Sequence, residues 1–277
     1  MAAGDIQSGR WSPRATFEKT ARVLDTNPHD FVLGLGDMSN EHGTAWDYAQ
    51  LDRAWGRHKN KLLAVPGTHD AGAGDSFYDY FNGKGRNDGL PAAGAHAGPR
   101  GKGYFATSLG AWLLIGLNFC ATPSQRFAAN DAQMRWLAEV MKAKPKGKPV
   151  IVINHTPRYT HASNHHENEQ DVSVAWEILL RYKPDVRLFL CAHMNGIYER
   201  WAPMDNARRA DAAGIRSFTV GTGGQRPYRL GKTDRLLEKA GVVFGVLQLT
   251  LRPDGYDWAF KAIAGSTFQD SGTLRFH

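Results

Sequence analysis

Five short apolar runs, each ending in a glycine-bearing or polar loop, limit what this chain can become. They are DFVLGLGD (30–37), KLLAVPG (61–67), AWLLIGLN (111–118), PVIVINH (149–155) and VRLFLCAH (186–193). A strand with one wet face alternates polar and apolar residues, so unbroken apolar runs of this length predict strands buried on both faces. Helical stretches lie between them. SPRATFEKTARVLDTN follows a Ser-Pro start, NDAQMRWLAEVMKAK follows an Asn-Asp start, and DVSVAWEILLRYKP (171–184) carries Pro184 as its stop. Strands alternating with helices predict a layered α/β domain. The C-terminal third changes character. GIRSFTVGTGG, GVVFGVLQLTLRP and GYDWAFKAIAG read as antiparallel strands with tight Gly and Pro-Asp-Gly turns, expected to form a second sheet packed on the first. The Gly-rich segment 82–103 reads as a surface loop.

A chain of 277 residues fits one large α/β domain or two small ones. With 42% hydrophobic and 22% charged residues it can bury a core, which sets aside disordered and fibrous classes. No apolar run approaches the roughly 18 residues that span a bilayer, and MAAGDIQSGR lacks a basic and then apolar leader pattern. The expectation is a cytoplasmic protein with no membrane partner. The formal charge of +7 is spread along the chain, with only short clusters such as KAKPKGK (142–148) and ARR (207–209). No nucleic-acid motif accompanies them, so a small anionic substrate is expected rather than a nucleic acid. Cys120 and Cys191 each end an apolar run. They read as core thiols rather than a disulfide, which suits a reducing compartment.

Ligands gather beyond the carboxyl ends of strands in an open α/β sheet. Four runs end there in a coordinating residue: Asp37, His69, His155 and His193. Asp5, in AAGD, is a fifth, after a run too short to assign as a strand. One such histidine is ordinarily a hydrogen-bonded core residue; five carboxylates and imidazoles in equivalent positions point to a metal. Mixed carboxylate and imidazole donors suit Zn, Fe or Mn.

The blocks GDMSNEHG, VPGTHD, NHTPRY and AHMNGIYERWAP resemble, in that order, those of calcineurin-like metallophosphoesterases. The nearest likeness is to the purple-acid-phosphatase-like bacterial branch. WGRHKNKLLAVPG, YFATSLGAWLLIGLN, FTVGTGG and GSTFQDSG add to the resemblance, which covers nearly the whole chain. It implies one α/β domain over residues 1–277, a two-sheet αββα metallophosphoesterase sandwich with a dinuclear metal site at the strand ends. Residue by residue, the resemblance makes Asp5 the first aspartate ligand and Asp37 the bridging one. Asn40 stands where the branch often has a tyrosine ligand. The Gly-Asn-His block reads Gly67-Thr68-His69, giving Thr68 for the amide ligand and His69 as catalytic histidine, with Asp70 behind it. His155, before Thr-Pro, is intact. The Gly-His-x-His block reads Ala192-His193-Met194-Asn195, with one extra residue before Tyr198-Glu199-Arg200.

The two implied metal positions therefore differ. The first would rely on Asp5, Asp37, Asn40 and Asn195, having exchanged a phenolate and an imidazole for neutral amides, which bind borderline metals weakly. The second keeps Asp37, His155 and His193, with Thr68 as a poor fourth ligand. One tightly held divalent ion (Fe, Mn or Zn) is the expectation. YTHASNHHENEQ (159–170) adds His165 as a candidate proton donor, with His161 and His166 as candidates for gripping an anion. His42 and Arg158 are further substrate-binding candidates, Arg158 because a guanidinium can take an acidic group bidentately. Three function classes follow. The first is a metal-dependent phosphoester hydrolase. The second is an enzyme of the same fold turned to a lyase, cyclase or rearrangement reaction in small-molecule biosynthesis. The third is a non-catalytic binding module.

Overall fold

The computed structural model describes residues 1–6, 15–39, 41–87, 97–120, 131–162, 169–232 and 234–276. In chain order its regular elements are β1 (Ala2–Ala3), α1 (Ala15–Thr26), β2 (Val32–Leu35), α2 (Ala45–Trp55), β3 (Leu62–Val65), α3 (Ser76–Asn82), β4 (Phe105–Leu109), β5 (Trp112–Gly116), α4 (Ala132–Ala143), β6 (Val150–Ile153) and α5 (Glu169–Leu180). There follow β7 (Val186–Cys191), β8 (Ile197–Trp201), β9 (Arg216–Val220), β10 (Leu237–Val242), β11 (Gly245–Arg252), β12 (Gly255–Ala262) and β13 (Ser271–Arg275). All five apolar runs form strands. No helix among the described residues is long and apolar enough to cross a membrane.

The strands divide into two sheets, ordered β13-β12-β11-β1-β2-β3 and β10-β8-β9-β7-β6-β5-β4. Alternation within the apolar runs shows how the layers stack. Ile151 and Ile153 of β6, with Leu188 and Leu190 of β7, pack into the cluster shared with Leu33, Leu35 and Leu247 of the first sheet. Their neighbours Val150, Val152, Phe189 and Cys191 face the other way, onto Met134, Leu137 and Met141 of α4 and Ala175, Trp176 and Leu179 of α5. Side chains that alternate between two apolar layers explain why β6 is apolar throughout and β7 carries only Arg187 near its start. Phe17, Ala21 and Leu24 of α1, with Tyr48, Leu51 and Trp55 of α2, belong to the cluster of the first sheet. The architecture is the αββα sandwich the resemblance implies.

Two expectations need correction. The C-terminal strands do not form a sheet of their own. β9 inserts parallel to β7 in the second sheet, while β11, β12 and β13 extend the first sheet antiparallel from β1, through the pair Ala2↔Leu247. β1 would otherwise leave its backbone groups open at an edge, and β11 closes that edge. The five apolar runs are likewise split, β2 and β3 in one sheet and β5, β6 and β7 in the other. Pro184 also does not end α5 directly. The helix stops at Leu180, and Tyr182 and Lys183 continue in i→i−3 bonds to Leu179 and Leu180, since the residue before a proline disfavours helical geometry. α2 and the strand β4 were not anticipated. α2 has a readable signal, a Thr44–Asp47 capping box in which each side chain takes the other residue's backbone N–H. Both cysteines are buried free thiols.

Candidate metal centre

The site forms where β1, β2, β3, β6 and β7 run out at their carboxyl ends, bringing Asp5, Asp37, Thr68, His69, His155 and His193 to one place. The loops are woven together by backbone bonds: Asp5 N–H donates to Gly36 O at 3.1 Å and Ile6 N–H to Asp37 O at 2.9 Å. Asp5, Asp37 and His193 all adopt left-handed backbone geometry, with φ of 55°, 47° and 66°. That conformation costs a residue with a Cβ about 1–2 kcal/mol, and it persists where the surroundings over-determine it. Here it turns each side chain inward as its strand ends.

Asp37, His155 and His193 converge, their ligand atoms all within 4.8 Å of one another. His155 is buried, and its Nδ1–H donates to Leu35 O at 3.0 Å. That bond fixes the ring's orientation and turns Nε2 into the site, 3.4 Å from Asp37 Oδ2 and 3.0 Å from His193 Nδ1, where a metal would take the place of its proton. Two imidazole nitrogens at that separation can both reach one cation through bonds of about 2.1 Å. Glycine makes the crowding possible. A Cβ on Gly67 would lie 2.0 Å from Asp37 N, and one on Gly36 would lie 2.6 Å from the His155 ring.

The electrostatics favour a cation. Burial works against ionised Asp37, but the charges of His155 and His69 and their hydrogen bonds overcome it and hold the carboxyl at about 2. Burial likewise pulls His155 down, and Asp37 more than reverses this, raising it to about 9. Burial, with Asp37 adding to it, pushes Asp5 well above the carboxylate range and Asp70 up to about 6. Three buried carboxyls in one place repel each other, which a divalent ion would relieve. Asp5 Oδ1 accepts His193 N–H at 3.2 Å, while its Oδ2 is buried with no hydrogen-bond partner among the described residues. The donor set of Asp37, His155 and His193 fits a divalent ion.

Thr68 Oγ1 donates to Asp37 Oδ2 at 3.4 Å, so its hydroxyl is turned to the ligand carboxylate. His69 N–H donates to Asp37 Oδ1 at 2.9 Å, and its ring Nδ1–H donates to Glu41 O at 2.8 Å. Its Nε2 is left 3.9 Å from Asp37 Oδ2, on a side chain 45% exposed at the mouth of the site. Asp70 is buried behind these loops without bonding the His69 ring. It accepts Met38 N–H, Ser39 N–H and Gly67 N–H at 2.8–3.1 Å and Tyr48 O–H at 2.6 Å, tying the Asp37 and His69 loops together. Tyr48 was not anticipated; a tyrosine one helical turn after the capping box is its only trace in the sequence.

Of the other candidates, Asn195 is half-buried and its carbonyl accepts Tyr228 N–H at 2.8 Å. His42 is exposed. Arg158 spends its fork on Asn206, with Nε donating to Oδ1 at 2.9 Å and a terminal nitrogen to the carbonyl at 3.1 Å, and lies over the Tyr159 ring. His161 is buried, its backbone N–H bonded to Glu199. Asn40, His165 and His166 lie outside the described residues.

A family model described as calcineurin-like phosphoesterase matches residues 1–195. No curated protein matches the chain by sequence. Among solved structures, purple acid phosphatase PPD1 from yellow lupin (Lupinus luteus) seeds superposes with a TM-score of 0.76 at 13% identity, over 99% of this chain and 53% of that one. The present chain thus spans about half the length of the lupin enzyme. A dimetal phosphatase from Danio rerio gives 0.65 at 11% identity, over 100% and 98% of the two chains. GAP50, the anchor in the inner membrane complex of Plasmodium, gives 0.67 at 12% identity, over 100% and 88%. At these identities the likeness is one of fold.

Proposed function

The chain belongs to the calcineurin-like phosphoesterase family, and from that membership we propose a metal-dependent phosphoesterase-like hydrolase acting on a small anionic substrate with a single tightly held ion. The convergence of Asp37, His155 and His193 carries the reading. A divalent ion there would supply a Lewis acid for a phosphoryl oxygen and for the attacking water. Asp37 remains ionised and anchors the site. His155, locked by Leu35 O, presents Nε2 and cannot rotate away. His69, oriented by Glu41 O, offers Nε2 at the mouth to protonate the leaving oxygen. Asp70 holds the two loops in register and acts as a positioning residue.

Elemental mass spectrometry of protein purified without added metal or chelator tests the single ion, with one equivalent of Fe, Mn or Zn per chain expected. Two tightly bound equivalents would sink the mononuclear reading. With Mn or Fe supplied, p-nitrophenyl phosphate should be cleaved, and His69→Ala should abolish cleavage.

One observation favours a second reading. Thr68, at the position where the family resemblance places an amide ligand, points its hydroxyl at Asp37. A site so altered suits an enzyme turned to lyase or cyclase chemistry, or a protein that keeps the fold for binding, as GAP50 is named an anchor. A turned enzyme would fail the p-nitrophenyl phosphate assay yet lose its own reaction on His69→Ala, whereas a binding protein would tolerate that change.

A further inference from the structure

Beside the metal centre lies a second polar cluster, which the hydrolase chemistry does not use. His161 is nine-tenths buried, yet neither ring nitrogen has a hydrogen-bond partner among the described residues. A neutral imidazole carries one donor and one acceptor, and buried groups of this kind are rarely left unmatched. The charges acting on its ring are those of Asp234 and Arg208. The Arg208 guanidinium lies 5.4 Å from the Tyr159 ring centroid and 5.1 Å from that of Trp201, and one terminal nitrogen meets Asp234 Oδ2 at 3.0 Å. Its Nε is buried with no partner among the described residues.

Arg208 also stands out in its backbone. Among the described residues four non-glycine positions have positive φ; three are Asp5, Asp37 and His193, and the fourth is Arg208 at 58°. Such strain collects at functional sites. The turn is locked in place, since Asp205 Oδ1 accepts Ala207 N–H and Arg209 N–H at 2.9 Å and the Tyr159 hydroxyl donates to Asn206 O at 2.6 Å. The cluster is tethered to the metal loops. Tyr228 N–H donates to Asn195 O at 2.8 Å and Gly231 N–H to His161 O at 2.6 Å, so one short segment, spanning at most about 10 Å, bonds both. Residues 226–232 around it hold Arg226, Arg229 and Lys232 and no acid.

We propose that His161, Arg208 and the basic segment 226–232 form a second oxyanion subsite, so that the substrate is a small molecule with two anionic groups, one reacting at the metal and one held here. This rests on the hydrolase reading for the reacting end. An oxyanion at the cluster would accept from the unmatched Arg208 Nε–H and from the N–H of His161, and such charge-assisted bonds are the strong ones.

Calorimetric titration of the manganese-loaded chain with inorganic phosphate tests it. Two equivalents should bind. His161→Gln and Arg208→Gln should each weaken one equivalent by at least about tenfold and leave the other unchanged. Asp37→Asn should remove only the other. The two subsite variants lie on separate elements, so a folding failure in one, seen by thermal melting, leaves the other to decide. Succinate in the same titration identifies the held group: Arg208-dependent binding of succinate assigns a carboxylate, and of phosphate alone a phosphoryl group. A single phosphate lost in Asp37→Asn and indifferent to His161→Gln and Arg208→Gln overturns the subsite and leaves the hydrolase reading standing. A phosphate that depends on Arg208, with none that depends on Asp37, does the reverse.

Discussion

Asp37, His155 and His193 on one side, after β2, β6 and β7, and Asp5 with Asn195 on the other, after β1 and β7, are finished differently. The first group has converging donor atoms and a histidine whose ring orientation is fixed by Leu35 O. The second has a carboxyl that burial and Asp37 push upward, beside a residue that offers an amide. The support is common to both, since Asp5, Asp37 and His193 share the left-handed turn and the Asp5 and Asp37 loops are bonded to one another. The fold therefore gives both groups the same backbone support, while their donor chemistry differs.

Removing the shared carboxylate should have the largest effect. Asp37→Asn is expected to reduce retained metal from one equivalent to a trace, read by elemental mass spectrometry after gel filtration. Chelation of the native chain should lower its stability by about 4 kcal/mol if the ion was present at a thousand times its Kd, read by urea unfolding. Metal retained in Asp37→Asn would mean that the ion sits elsewhere.

The contrast between the halves sharpens on single ligands. His155→Gln or His193→Gln should weaken metal binding by at least about a hundredfold, because each removes a direct donor; even partners behind a ligand are worth tenfold or more. Asp5→Asn keeps the oxygen that accepts His193 N–H, and its effect should stay below about tenfold. Competition against a fluorescent chelator measures all three. A large loss in Asp5→Asn would show that the second half holds metal after all.

Gly67→Ala tests the scaffold that both halves share. The added Cβ would fall 2.0 Å from Asp37 N, so the loop must move, at a cost of about 1–3 kcal/mol by denaturant unfolding and a weakened metal. Sequence makes Gly67 visible but not the reason for it. The same divide runs through the molecule. Asp37, His155 and His193 are legible because a buried strand leaves only its last residue free for chemistry, and the resemblance placed them in order. What holds the site is not legible: the carbonyl of Leu35 on His155, that of Glu41 on His69, and Tyr48 reaching Asp70 from α2. Each depends on elements far apart in the chain. β11 joining β1 escaped local patterning for the same reason, since a strand's periodicity does not name its partner.

Asn195→His asks whether the missing imidazole is all that separates the halves. A second equivalent of manganese or zinc should then survive gel filtration, with affinity at the first position changed by less than about threefold. If no second ion appears, the loop carrying Gly196 aims this side chain away from Asp5, and the asymmetry lies in backbone path rather than donor type.

The smallest expected effect is one of pH, and it concerns the brace behind the site. Asp70 is raised to about 6 in the folded chain by burial and by Asp37, above the ordinary carboxyl value of 3.8. Between those values the folded chain holds a proton that the unfolded chain has released. Stability therefore falls as pH rises from about 4 to about 6 and stays lower above. Asp37, held at about 2, acts in the opposite sense at lower pH: its contribution is present above 3.8 and is lost as pH falls through 2. Urea unfolding of chelated protein from pH 4 to pH 7 should show the decline, and Asp70→Asn, which has no carboxyl to ionise, should reduce it to the share that the raised Asp5 contributes in the same sense. Reloading metal neutralises Asp37, removes its push on Asp70, and should shrink the slope in the native sequence as well. A slope indifferent to metal would mean that burial alone raises Asp70, and that the brace does not sense the half of the site it supports.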